Sequence, residues 1–265
     1  TPVRVLRMLK GTSRKPDEVV GLMPPDLVPV TVEKVAINAV LAGCKPEYMP
    51  VLLAALEAAL TDAFGLHGLI CTTMFGSPMI VVNGPAARAI GMNSGVNALG
   101  QGNRANATIG RALQLIIRNV GGGLPGEIDR ATLGNPGKYS FCFAEAEDAD
   151  WLPLAQERGI EAGRSAVTLF PGEGVQGIVD QKSRDPESLA RSFALSLRTV
   201  DHAKLAMAGD AVLVVSPEHA RVFIEAGWSK QRLRDELEKL LLAPGAELVA
   251  GAGGIAEGIP ERFKD

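Results

Sequence analysis

Between Thr31 and Val40 the apolar positions Val32, Val35, Ala36, Ala39 and Val40 recur at helical spacing, so the chain is expected to turn helical at Thr31. Thr31 can cap that helix, although Lys34 rather than an acidic residue stands at N3, and Gly43 stops it. Pro46 suits the first turn of a second helix through "PEYMPVLLAALEAAL", despite Pro50. The short apolar runs "GLICTTM" and "PMIVVNGP", bounded by Gly and Pro, read as strands. Leu113, Ile116, Ile117 and Val120 form the buried stripe of a helix near residues 106–120, closed by Gly121, Gly122 and Gly123. Then "GEIDRATLGNPGK" reads as a long loop and "YSFCFAE" as a strand.

The pattern is more regular after residue 165. "SAVTLFPG" and "DAVLVVSP" read as strands. "DPESLARSFALSLRTV", "PEHARVFIEAG" and "SKQRLRDELEKLLL" read as helices, opened by Asp185 with Pro186, by Pro217, and by Ser229. Strands alternating with helices predict an α/β fold, with layered helices on a mixed or parallel sheet in one or two subdomains. Residues 1–30, with three prolines in "GLMPPDLVP", are expected to form an extended N-terminal arm. Residues 31–150 would form one α/β subdomain and 165–265 a second, divided at the acidic stretch "EAEDADWLPLAQERG".

Composition narrows the function classes. The 265 residues are 46% hydrophobic and 5% aromatic, enough apolar material for a sizeable layered core. With a net charge of −3 and no basic run, nucleic acid is not an expected partner. The longest apolar stretch, "MPVLLAALEAAL", is interrupted by Glu57, so no membrane span is expected. Three sparse cysteines suit a reducing cytoplasm better than a disulfide scaffold. The three histidines and three cysteines show no metal-ligand spacing, and neither a metal nor a cofactor is evident. A start at Thr1 rather than Met reads as trimming or subunit cleavage.

The densest polar segment is "GQGNRANATIGRALQLII", which opens an apolar helix pattern. Asn103 or Asn106 can cap that helix, and the free N–H groups of its first turn could hold a carboxylate or phosphate. Arg104 adds a bidentate donor, and Thr108 lies one turn further on. Upstream, Asn93, Ser94 and Asn97 sit on glycine-hinged backbone, and Asn83 and Gly84 end a strand. Against this stands the ordinary use of Asn and Gly in tight turns. Gly100, Gly102 and Ala105 match a dinucleotide fingerprint formally, but no good strand precedes them and no acidic residue follows at the required distance. Cys44, beside Lys45 and ahead of a helix start, is either an activated thiol or a small buried hydrophobe. Glu145 and Glu147 end a strand and could face a cleft, and Glu218 and His219 open a helix after one. His202 stands in a polar turn. Asp129 and Arg130 occupy a glycine-flanked loop suited to a lid or substrate clamp.

At "VEKVAINAVLAGCKPEYMPVLLAALEA", "VNGP", "NSGVNALGQGNRANATIGRALQLIIRNVGGG", "GNPGKYSFCFAE" and "SPEHARVFIEAGWSK" the sequence resembles the UGSC (seleno)protein family. That family is named for a selenocysteine-or-cysteine, Gly, Ser, Cys motif, which this chain lacks. In the family the motif belongs to a separate reductase-like portion, similar to the selenoprotein subunit of glycine reductase. The resemblance therefore implies the non-redox portion of an enzyme with chalcogen chemistry, paired with a subunit or segment carrying the motif.

The leading expectation is an enzyme subunit that binds a small anionic or carbonyl substrate over the Asn103–Thr108 helix mouth. It would cleave a carbon–heteroatom bond by thiol-assisted chemistry, with Cys44 or a partner's thiol attacking. The alternative is a thiol-independent hydrolase or lyase using Glu145 or His219 as base, and a third reading is a scaffold that docks a redox partner. A homo- or hetero-oligomer is expected in the first and third cases.

Overall fold

The computed structural model describes residues 1–147, 150–200, 204 and 209–264. It is mixed α/β and divides into two compact units, residues 1–175 and 176–265. His202 lies outside the described residues.

The first unit opens with helix α1 (Pro2–Leu9), followed by the antiparallel pair β1 (Val19–Met23) and β2 (Val28–Thr31). The extended arm expected over 1–30 is therefore a helix and a hairpin, with Pro24 and Pro25 confined to the link between the strands. Pro2 sits where its missing N–H costs nothing, while Val5, Met8 and Leu9 pack toward the core. Helices α2 (Val32–Ala42) and α3 (Met49–Ala59) follow. The Thr31 side chain caps α2 by accepting from Lys34 N–H at 3.3 Å.

"GLICTTM" is not a strand but the short helix α4 (Leu66–Cys71), which buries Leu66 and Ile70 one turn apart. A brief apolar run has no period long enough to separate the two conformations, and tertiary burial decided. Strand β3 (Ser77–Asn83) runs next, then α5 (Pro85–Ala89), the long α6 (Arg104–Asn119), β4 (Cys142–Ala144), α7 (Leu154–Glu157) and β5 (Ala166–Gly172).

β3 is the centre of the three-stranded sheet, parallel to β4 and antiparallel to β5. Every β3 residue is buried, and its apolar run from Pro78 to Val82 suits a strand covered on both faces. Ile80 and Val82 join the main core with Val35, Ala39, Leu52, Ile109 and Ile116, while Met79 and Val81 meet Phe143 on the other face. β5 thus belongs to the first unit, and the expected boundary at 150–164 falls inside it. Gly110 on α6 is a packing requirement: a Cβ there would lie 2.6 Å from Ser140 Oγ and 2.8 Å from the Phe141 backbone nitrogen.

The second unit is helical among the described residues: α8 (Pro186–Val200), α9 (Pro217–Glu225), α10 (Lys230–Leu241) and α11 (Gly245–Leu248). The strand expected in "DAVLVVSP" is not formed: among the described residues, 209–216 pair with no other segment, and an unpaired strand has no ladder to hold it. The α8 and α10 starts match expectation, with Asp185 accepting from Ser188 N–H at 2.8 Å and Ser229 from Arg232 N–H at 3.1 Å. α9 ends in a Schellman turn: Trp228 N–H donates to Phe223 C=O, Gly227 N–H to Ile224 C=O, and Gly227 takes φ +71°. The Phe223 and Trp228 rings, 5.8 Å apart, supply the apolar contact of that motif, and Phe193 extends the cluster.

Replacing Ile116, fully buried where α6 meets the core, by alanine is expected to cost about 2–5 kcal/mol in urea unfolding.

Candidate functional site

The mouth of α6 is closed by its own side chains. Asn103 caps the helix, its Oδ1 accepting from Asn106 N–H at 3.0 Å, while its Nδ2 donates to Gly91 C=O at 2.8 Å. Asn106 is 3% exposed and holds the preceding loop: Oδ1 accepts from Asn93 N–H, and Nδ2 donates to the Asn93 and Ala98 carbonyls. Asn93 bonds to Gly95 and Val96, Asn97 donates to Gln101 C=O, and Ser94 lies half-buried in the same loop. Thr108 Oγ1 donates back to Arg104 C=O. The amides that suggested a ligand cradle stitch residues 91–106 to the helix start. Asn and Gly act here through turn chemistry.

Arg104 reaches sideways, Nε donating to Gly43 C=O at 2.9 Å, and this brings α6 against the end of α2. That end is a second Schellman turn. Gly43 takes φ +90°, Gly43 N–H donates to Val40 C=O, and Cys44 N–H donates to Ala39 C=O. Cys44 therefore occupies the position whose side chain normally folds back onto the helix as an apolar contact. It is 7% exposed, and its Sγ–H donates to Thr108 C=O at 3.3 Å. Burial pushes the thiol up, and the nearby Arg104 guanidinium offsets only part of that. The activated thiolate expected from a position ahead of a helix is not what this environment favours. Cys142, in β4, is pushed up further by burial.

A second group of expected residues does converge. β3 and β4 are parallel, and Asn83 and Glu145 stand at their carboxyl ends, the edge where open α/β sheets collect ligands. Asn83 Nδ2 donates to Glu145 Oε2 at 2.6 Å and to Glu147 Oε1 at 3.1 Å, so one amide nitrogen bridges two carboxylates. Glu145 Oε2 also accepts from Leu154 N–H at 2.8 Å. Glu147 accepts from Gly84 N–H at 2.6 Å and pairs with Arg88 at 2.9 Å. Burial opposes the charge of Glu147, but donation from Asn83, Arg88 and Gly84 outweighs it and holds the carboxyl below its usual range. Asn83 is 1% exposed, and its Oδ1 is buried without a hydrogen-bond partner among the described residues. Gly84 is required: φ is +87°, and a Cβ would stand 2.3 Å from the Arg164 carbonyl oxygen.

The remaining expected residues lie elsewhere. His219 belongs to the second unit, where its Nε2 meets Asp180 C=O at 2.9 Å and its ring contacts Phe193 edge-on. Arg130 is exposed on a loop anchored through Thr132 to Thr73 and through Asn135 to Phe75. Among the described residues no group of three or more His, Cys, Asp or Glu could hold a metal ion. No single helix among them is long and apolar enough to cross a membrane. The bridge through Asn83 was not foreseen; the two signals that could have found it, "VVNGP" and "FAEAE", both mark the ends of adjacent strands.

No protein-family model, curated protein or solved structure matches the chain, so the resemblance to the UGSC proteins rests on the sequence blocks quoted above.

Two outcomes follow. Asn106→Ala leaves backbone groups of the 93–98 loop unpaired and is expected to cost about 1–3 kcal/mol in urea unfolding. Glu147 has a lowered folded pKa, so its stabilisation is complete above the unfolded value of about 4.3 and is lost as pH falls through the folded value. Glu147→Gln should therefore be less stable than wild type at neutral pH, with the difference closing in acid, as read from unfolding midpoints against pH.

Proposed function

We propose that the first unit is a small-molecule enzyme working without a thiol, a hydrolase or lyase in which Glu145 is the general base. The observation that carries this reading is the Asn83 amide bridging two carboxylates at the carboxyl edge of a parallel strand pair. The two carboxylates have different surroundings, which is how one fold separates acid–base roles. Glu147, tied to Arg88 and the Gly84 N–H, is the fixed charge that orients Asn83. Glu145 takes a proton from water or from a substrate carbon, and the Leu154 N–H and Asn83 hold its carboxylate in place meanwhile.

The charge balance also shifts the substrate class from the anionic molecule expected over the helix mouth. Among the described residues the cluster gathers two carboxylates and the Asn83 carbonyl oxygen, and Arg88, whose side chain is 67% exposed, pairs with Glu147. This supports a substrate that presents N–H or O–H donors. The thiol-assisted reading, with a redox-motif partner, is supported less, because Cys44 is buried and donates its proton to a carbonyl. Three free cysteines fit a reducing compartment, and we place the protein in the cytoplasm.

The test is a turnover screen of small esters, amides and β-eliminating amines or alcohols. Activity found with wild type should fall about 10²–10⁴-fold in Glu145→Gln and survive in Cys44→Ala. Full activity in Glu145→Gln, or inactivation by iodoacetamide that tracks Cys44 labelling, would overturn the proposal.

A further inference from the structure

At the opposite end of β3 from Asn83, a small hollow lies between α6, α4 and the loop that leads to β4. It has room of about 20 Å³, and its polar walls are Ser77, Gln114, Asp129 and Lys138, with Leu69 and Ile117 among the apolar ones. Gln114 Nε2 is buried and meets no acceptor among the described residues. Asp129 uses one carboxylate oxygen, Oδ1, to accept from Lys138 Nζ at 2.8 Å and from Ala131 N–H at 3.2 Å. The pair is largely covered, with side chains 14% and 21% exposed.

Three observations limit what can sit there. A water needs roughly 10–15 Å³ of such room and two to four polar partners. The hollow meets the first condition, with room of about 20 Å³. Its ionised walls cancel, one carboxylate against one ammonium, so nothing there calls for a charged occupant. The buried Gln114 N–H needs an acceptor, and the Asp129 carboxylate, whose bonds to Lys138 and Ala131 both use Oδ1, lines the same hollow and can accept in turn. We infer that the hollow is a binding site for one ordered water, which accepts from Gln114 Nε2 and donates to the Asp129 carboxylate.

That water joins the middle of α6 to the loop carrying Arg130, supplying a tie that the protein's own atoms leave incomplete. The loop is then a strapped wall of the core rather than a lid free to swing. The water also hydrates the Asp129–Lys138 pair, which lowers the cost of covering it.

A high-resolution crystal structure of the wild-type protein, with water-to-amide NOEs at the Gln114 side chain, tests this. The expected result is a water within hydrogen-bond distance of Gln114 Nε2 and Asp129, giving the NOE sign of a long-lived bound molecule. In Gln114→Met, which fills the hollow with an apolar chain, the peak should vanish and amide exchange over residues 124–131 should rise. A dry hollow in wild type, a Gln114 amide bonded directly to a protein acceptor, or a fast-exchanging water would overturn the inference. The wild-type readouts stand alone if the variant fails to fold.

Discussion

The burial of β3 on both faces and both edges is the constraint on which the first unit depends. Each of its seven residues is covered, so its backbone N–H and C=O groups must be met by neighbouring strands. β4 takes one edge in parallel and β5 the other in antiparallel fashion. Its side chains alternate between the helical core, through Ile80 and Val82, and the smaller cluster around Phe143. A strand held this way has no freedom of register, and its two ends become fixed points. Asn83 is placed at one end, and Ser77, beside the hollow under Gln114, at the other.

The two polar assemblies along the first unit show opposite uses of the same side chain. At the start of α6, Asn103 and Asn106 spend donors and acceptors on backbone groups of residues 91–106, and the result is a closed loop. At the end of β3, Asn83 spends its donor on two acidic side chains and leaves its carbonyl oxygen buried and unmet among the described residues. Leaving a buried acceptor unpaired costs about 1–3 kcal/mol. A protein retains such a cost more readily where the geometry serves chemistry than where it only closes a turn. The difference directs attention to the sheet edge rather than the helix mouth.

Cys44 shows how a local motif can imitate an active site. A thiol beside a lysine and ahead of a helix has the sequence context of an activated nucleophile. The same residues also form the exit of α2, where Gly43 adopts the left-handed conformation and the next side chain folds back onto the helix. Fold-back buries the sulfur against Thr108, and burial disfavours the thiolate. Gly227 and Trp228 repeat the arrangement at the end of α9, with an aromatic ring in the place of the thiol.

Much of the local structure was legible in the chain itself. Thr31, Asp185 and Ser229 announced helix starts, Gly43 announced a stop, and the apolar run through Val82 announced a buried strand, because caps, turns and periodicity act over a few residues. What reads ambiguously at that range was settled by packing. "GLICTTM" became a helix because Leu66 and Ile70 face the core one turn apart, and "DAVLVVSP" stayed unpaired because no strand lies beside it among the described residues. The candidate site divides the same way. The sequence by itself determined that Asn83, Glu145 and Glu147 end apolar segments; only the tertiary structure, by setting β3 and β4 parallel, brought one amide against two carboxylates separated from it by more than sixty residues. Hydrogen-bonding capacity is written in residue identity, but whether it is spent on backbone, on another side chain or on a ligand depends on neighbours distant in the chain.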